Sequence, residues 1–288
     1  SGALGLPALA LAALAHLGLL GGLAWLLAPR LWRDAERRHL AFLWALAALA
    51  AGVAGFYADA LGGAQPARWL HAALGVLAML VVVAMSRISM RLVNGALDEA
   101  GVAGIEYRAR PPRRNLAIFC IGLHTLAELF LPGTRLAGWL ALAAAAALFN
   151  LMGDWHVGRA LFRRWPLLLY GVYAAMAAGY AAMGAALVLG GGYFSAGRHL
   201  LTVGALGLNI YLVMCIAGRM HCGRPLDERP WVPLGAAAIV LAALSRSADL
   251  HVAAGLLWIA AFALGAWHLA PLWLARRRDG GVDCEGLL

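Results

Sequence analysis

Lysine is absent, and all 23 basic side chains are arginine. Acidic residues number only 14 in 288, and charged residues of either sign make up 13% of the chain. Hydrophobic residues make up 63%, and the mean hydropathy is +0.78. A soluble domain of this length has no core large enough to hide so much apolar surface, so the composition indicates a polytopic membrane protein. The four cysteines, Cys120, Cys215, Cys222 and Cys284, form no CxxC or CxxCH pair. That argues against covalent haem attachment and against a zinc ribbon. No charged n-region with a cleavage site precedes the first apolar run, so residues 4–28 are read as a membrane span rather than a signal peptide. The pI near 10.1 would suit nucleic acid, but the arginines lie between apolar segments rather than on one face. The expected partner is therefore the lipid bilayer and not nucleic acid. Arginine without lysine, beside so much Ala, Leu and Gly, is the pattern expected from a GC-rich bacterial coding bias.

Apolar windows long enough to cross a bilayer fall at about 2–28, 39–62, 67–90, 114–132, 136–162, 165–190, 197–220, 231–246 and 248–275. The expected fold is thus all-α, a single transmembrane bundle of about nine spans over residues 1–288, with no internal repeat. Segments such as YGVYAAMAAGYAAMGAA let helix backbones approach closely, although one small-xxx-small match means little in so Ala-rich a chain. Nineteen arginines fall at the ends joined by the loops after spans 1, 3, 5 and 7 and in the C-terminal tail. Only Arg68, Arg135, Arg198 and Arg246 fall on the other side. By the positive-inside rule the C-terminus is expected in the cytoplasm.

With that topology the nine histidines sort by depth. His71, His199 and His251 open spans 3, 7 and 9 at the outer face. His39, His156, His221 and His268 lie toward the inner ends, and His16 and His124 lie near mid-membrane. Ionisable groups within a membrane are costly, so each is a functional candidate. For His39, His156 and His268 the alternative is a ring that snorkels or caps a carbonyl. The outer trio His71, His199 and His251 is the better haem candidate, since neutral imidazole is an axial ligand of b-type haem and also binds copper. This requires spans 3, 7 and 9 to be neighbours. His199 and His221, 22 residues apart on one helix, are separated by roughly 33 Å and roughly 40° of rotation, so they cannot share one metal. His221 and Cys222 are an inner metal candidate, with Cys222 alternatively a small helix-end residue. His124 and Glu128, spaced i,i+4, share a face and suit either a metal, a proton relay or a mutual hydrogen bond. Asn150 and Asp154 share a face of span 5 in the same way, and Asp154 is a buried-looking carboxylate and site candidate, for which a partner among the inner arginines is the alternative. Cys120 and Cys215 read as small buried residues.

The stretch HLLTVGALGLNIYLVMCIAGRMHCGRPL, residues 199–226, resembles the NnrS family of bacterial membrane proteins, in which a His-led LTVGA helix ends in GHTGRPL. WIAAFALGAWHLAPLWLARRRDGG is similar to the family's C-terminal pattern. MSRISMRLVNGAL is similar to an arginine element at a helix end, with Arg87 at the arginine. WHVGRALFRRWPLL fits the Trp and Pro-Leu-Leu step that follows. His199, His221, Arg87, Gly223 and Arg224 carry over. Met220, Cys222, Met90 and Val172 depart from the pattern, and the WHAHEM-like motif of the family's first helices is missing. The resemblance implies a twelve-span family, of which nine helices would be the C-terminal three quarters. It implies haem b and copper, a link to nitric oxide in denitrification or nitrosative stress, and a bacterial inner-membrane location. A proton-coupled transporter with His124, Glu128 and Asp154 along a polar path is the rival expectation. A further rival is a non-catalytic subunit of a respiratory or metal-delivery complex, or a homo-oligomer.

Overall fold

A computed structural model describes residues 5–33, 40–102 and 104–275. Among these residues the fold is all-helical, in nine rods. The rods are α1 Gly5–Arg33, α2 Leu40–Gly62, α3 Ala67–Glu99, α4 Pro111–Phe130 and α5 Arg135–Met152. After them come α6 Arg164–Leu189, α7 Phe194–Met220, α8 Trp231–Ser247 and α9 His251–Leu274. Ala and Leu dominate them, and both are strong helix formers. Seven rods are long and apolar enough to cross a membrane. The other two are α8, apolar but only 17 residues long, and α4, which carries Arg113, Arg114 and Glu128. His39, Arg276, Arg277, Arg278 and Cys284 lie outside the described residues.

Three rods depart from the expected spans for local physical reasons. The fifth was expected to run to residue 162, but α5 ends at Met152 and is followed by 3₁₀ turns Gly153–Trp155 and Gly158–Phe162. Gly158 at φ +63° turns the chain there, and the Asp154 side chain is drawn to arginines instead of continuing a helix face. α3 overshoots its apolar run by nine residues. At 33 residues it is roughly 50 Å long, against a hydrocarbon thickness of about 30 Å. Its projecting turns are held by Asn94, whose amide donates to the Tyr107 carbonyl at 3.1 Å and accepts the Tyr107 N–H at 2.8 Å.

The third departure bears on the histidine spacing. α7 is α-helical over Phe194–His199, a π-helix over Leu200–Leu206, and α-helical again from Gly207. The π segment coincides with the LTVGA motif. A π turn takes one residue more than an α turn, which sets the helix phase back by about 100°. The roughly 40° offset expected between His199 and His221 assumed an unbroken α-helix and is therefore corrected.

α6 is the central rod, packed on α3, α5, α7 and α8. Paired glycines bring its neighbours in. A Cβ on Gly184 would lie 2.7 Å from the Gly138 carbonyl of α5. Cβ atoms on Gly179 and Gly197 would each lie 2.8 Å from the other's carbonyl, which pins α6 to α7. Such backbone approach is how helices pack without a hydrophobic driving force from lipid. α1 packs on α2, and α2 on α3, where Arg68 and Trp69 both donate to Asp59, at 2.7 and 3.0 Å.

Candidate functional site: a buried carboxylate between two histidines and an arginine

Consecutive rods run antiparallel, so the ends joined by the α2–α3, α4–α5, α6–α7 and α8–α9 turns gather at one pole. There, α3, α4, α6 and α7 enclose Glu128. Arg198, from the first turn of α7, pairs with Glu128 Oε1 in a direct ion pair. On the other oxygen, His124 Nε2 lies 3.6 Å from Oε2, and His71 Nδ1 lies 3.9 Å from Oε1. The Glu128 and Arg198 side chains are 14% and 18% exposed, and that of His124 is 3% exposed. Two close approaches set the walls. A Cβ on Gly75 of α3 would lie 2.0 Å from Thr125 Oγ1 of α4, and the Gly179–Gly197 contact places Arg198. Tyr180 of α6 stands edge-on to the His124 ring at 5.4 Å, and the Phe194 ring lies 4.8 Å beneath the Arg198 guanidinium.

His124 has its donor fixed. Its Nδ1–H donates to the Ala137 carbonyl at 3.1 Å, and a carbonyl can only accept, so Nδ1 carries a proton. Nε2 is buried and has no hydrogen-bond partner among the described residues. A bare lone pair there would face a carboxylate, an arrangement that is repulsive. A second proton on the ring, or a water between the two groups, removes the conflict. The adjoining cavity, lined by His71, His124, Thr125, Glu128, Tyr180 and Arg198, has a volume of about 10 Å³. That is about the room one water needs.

The expected outer trio divides between two places. His71 belongs to the Glu128 centre. His199 follows Arg198 but turns the other way, toward Arg246, Asp249 and His251 at the α8–α9 turn. Arg246 Nη1 lies 3.4 Å from His251 Nδ1. The pairing that sequence reasoning missed is Glu128 with His71 and Arg198. Arg198 had counted only as a topological charge, although its place in an α7 first turn level with His71 was readable. His124 and Glu128, expected in mid-membrane, lie toward the end of α4 beside the α4–α5 turn.

The opposite, arginine-rich pole holds two further carboxylates. Asp154, its side chain 1% exposed, accepts from Arg113 at 2.8 Å and from the Arg110 backbone N–H at 3.1 Å. It thus caps the N-terminus of α4 from outside the helix, in the role expected of an arginine-paired carboxylate. Asp227 is the residue the sequence did not single out. Arg229 at 2.6 Å, Arg219 at 3.0 Å and the Trp231 indole N–H at 3.0 Å all donate to it. The Arg229 guanidinium, despite the opposing effect of burial, holds this carboxyl well below the usual range. Its only hint in the sequence is a lone Asp within the arginine-dense GRPLDERP. Before it, α7 ends in a Schellman cap. Gly223 at φ +64° sends its N–H to the Met220 carbonyl at 2.9 Å, and the Arg224 N–H bonds the Arg219 carbonyl at 3.0 Å. His221 is exposed on this cap, and the Cys222 thiol donates to the Leu272 carbonyl at 3.5 Å. Arg87 and Arg224 are both partly buried at this pole. Within the described residues no three His, Cys, Asp or Glu side chains converge as the ligands of a metal ion.

Fold and centre together define a polytopic, all-helical membrane protein built around a buried ion pair flanked by imidazoles. The NnrS protein family matches residues 1–278, and the chain belongs to that family. No curated protein matches it, and no solved structure does.

Proposed function

We propose that this NnrS-family protein acts in the response to nitric oxide or nitrosative stress, with the Glu128 centre as its working site. The family match supports the role, and one geometric observation supports the site. Four helices converge to hold a carboxylate, two imidazoles and a guanidinium around a space the size of one small molecule. A small uncharged ligand that partitions into the bilayer can reach such a space without desolvating an ion. There His124 Nε2 and the Glu128 carboxylate can share or pass a proton, while Arg198 holds the carboxylate in place. We further propose a bacterial inner-membrane location with the arginine-rich pole in the cytoplasm, on the arginine asymmetry.

Haem b and copper are the groups the family resemblance implies. The outer trio does not meet at one haem, because His71 is turned to α4 while His199 is turned to α8 and α9 beside His251. The cavity beside His71 holds about 10 Å³, where a ligand pocket typically needs about 300 Å³ or more. A copper ion is disfavoured at Glu128 because a guanidinium is already bound to that carboxylate. The rival polar path is interrupted. Asp154 binds Arg113 at one end of α4, 15 residues or roughly 22 Å from Glu128, and buried Ala117 and Ile121 lie between.

The test is growth of a host expressing the chain under a nitric oxide donor, with Glu128→Gln beside the parent. The expected result is protection by the parent and its loss in the variant at equal membrane abundance. Equal protection by both would remove the centre from the function, and no protection by either would remove the role. Metal analysis and an absorption spectrum of the purified protein read the cofactors directly.

A further inference from the structure

At the arginine-rich pole a cleft of about 810 Å³ opens between the last turns of α3, the first turn of α6 and the α7–α8 loop. Arg91, Arg163, Arg164 and Trp165 line it, with Glu99 and Glu228. We propose that this cleft binds the phosphate of an anionic phospholipid headgroup.

Three observations converge on a phosphate. First, α6 begins here without a side-chain cap: its N-cap, Arg163, is extended and Pro166 has no N–H. The N-terminus of a 26-residue helix therefore presents its positive end and unpaired N–H groups at the cleft wall. Second, two arginines flank that terminus. Arg164 is anchored by donating to the Asp227 and Arg229 carbonyls at 3.1 and 3.2 Å and lies 3.4 Å from the Glu228 carboxylate, which stiffens the wall, and exposed Arg163 stands beside it as the arginine turned to the ligand's charge. Third, the Trp165 indole N–H, in a side chain 93% buried by its 7% exposure, has no acceptor among the described residues.

Position selects a lipid over a soluble anion. Arg91 is the first residue beyond the apolar run of α3, and Arg164 the last before that of α6, so the cleft lies where hydrocarbon gives way to headgroups. Its other wall is apolar, made by Leu92, Leu226 and Phe162, which is 73% exposed. Acyl chains can leave along that wall while the phosphate stays at the helix terminus. Basic pockets between membrane helices are known headgroup sites. In the second arginine-lined cleft at this pole, about 410 Å³ with Arg108, Arg110 and Arg113, two of the three arginines, Arg110 and Arg113, are already drawn to the buried Asp154 carboxylate. That cleft serves as the internal control.

The test places the full chain in nanodiscs of neutral phosphatidylcholine and titrates phosphatidylglycerol, reading bound lipid by native mass spectrometry. Arg163→Gln should weaken binding about tenfold, the scale of one charge-assisted hydrogen bond. Arg163→Lys should recover most of that loss, and Arg108→Gln should leave affinity unchanged. Elution volume and thermal midpoint report that each variant is folded. Equal losses in Arg163→Gln and Arg108→Gln would show diffuse attraction to the pole and overturn the site. Displacement of the lipid by millimolar inorganic phosphate would reassign the cleft to a soluble anion. Binding unaffected by Arg163→Gln would refute the proposal outright.

Discussion

The Glu128–Arg198 pair gives a sharp energetic prediction, because it is buried and its partners come from helices 70 residues apart in sequence. Arg198→Met keeps the length of the side chain but removes its charge. It leaves the Glu128 carboxylate, 14% exposed, against two imidazoles at 3.6 and 3.9 Å. Removing one member of a buried pair costs about 3–5 kcal/mol, because the survivor's charge is uncompensated. Glu128→Gln should cost somewhat less, since the amide can still accept from Arg198, whose Phe194 contact also remains. Removing both charges together should cost far less than the sum, because no bare ion is left. A double-mutant cycle should therefore show a coupling of about 2 kcal/mol or more, within the range found for contacting charges. The assay is unfolding by titration of sodium dodecyl sulfate into micelles, followed by helicity. Additivity within about 0.5 kcal/mol would mean the pair makes no energetic contact, and the proposed site would lose its centre. His71→Leu is the built-in comparison. His71 is 34% exposed and 3.9 Å away, so its removal should cost under about 1 kcal/mol, like an exposed pair.

Three shorter expectations follow from other parts of the bundle. The Asp227 carboxyl is depressed in the folded protein, so its stabilisation is complete above the unfolded value of about 4 and disappears as pH falls through the folded value. Stability profiles of the parent and Asp227→Asn should therefore differ at pH 6 and converge toward acid; a constant gap from pH 6 to pH 2 would contradict this. Gly75→Ala places a methyl group 2.0 Å from Thr125 Oγ1, so α3 and α4 must separate at a cost of about 1–3 kcal/mol. Gly75→Ala with Thr125→Ala should recover part of that loss, and a double variant no more stable than the single would show the clash is absent. Gly223→Val puts a branched residue at φ +64° in the α7 cap and should lower stability by about 1–2 kcal/mol in the same titration. An unchanged midpoint would mean the cap is not formed.

The rods were legible because a bilayer demands long apolar runs, and most expected ends fall within a few residues of the observed ones. The α5 end was not legible, because Leu161 and Phe162 kept the window apolar after Gly153 and Asp154 had already turned the chain. The π segment was hidden in Leu200–Leu206 for a different reason. It shifts phase without changing composition, so the periodicity of His199 and His221 could not reveal it. The i,i+4 pairing of His124 with Glu128 was readable from helix geometry alone. Its completion by His71 and Arg198 was not, since it depends on which rods are neighbours. That is set by glycine contacts such as Gly75–Thr125 and Gly179–Gly197, which look like any other small residue in an Ala-rich chain. Of the two readings of Asp154, the arginine partner is the one the fold shows, because a buried carboxylate among basic loops has few other stable outcomes.

The separation between Glu128 and its guanidinium also has a consequence for biosynthesis. At translation rates of about 5–20 residues per second, Glu128 is made roughly 4–14 s before Arg198. α4 is also absent from the rods that are apolar enough to cross a membrane by themselves. During that interval His71, already delivered by α3, is the earlier-made member of the centre available to the carboxylate. Until the first turn of α7 is made, the Glu128 carboxylate on α4 therefore lacks its guanidinium.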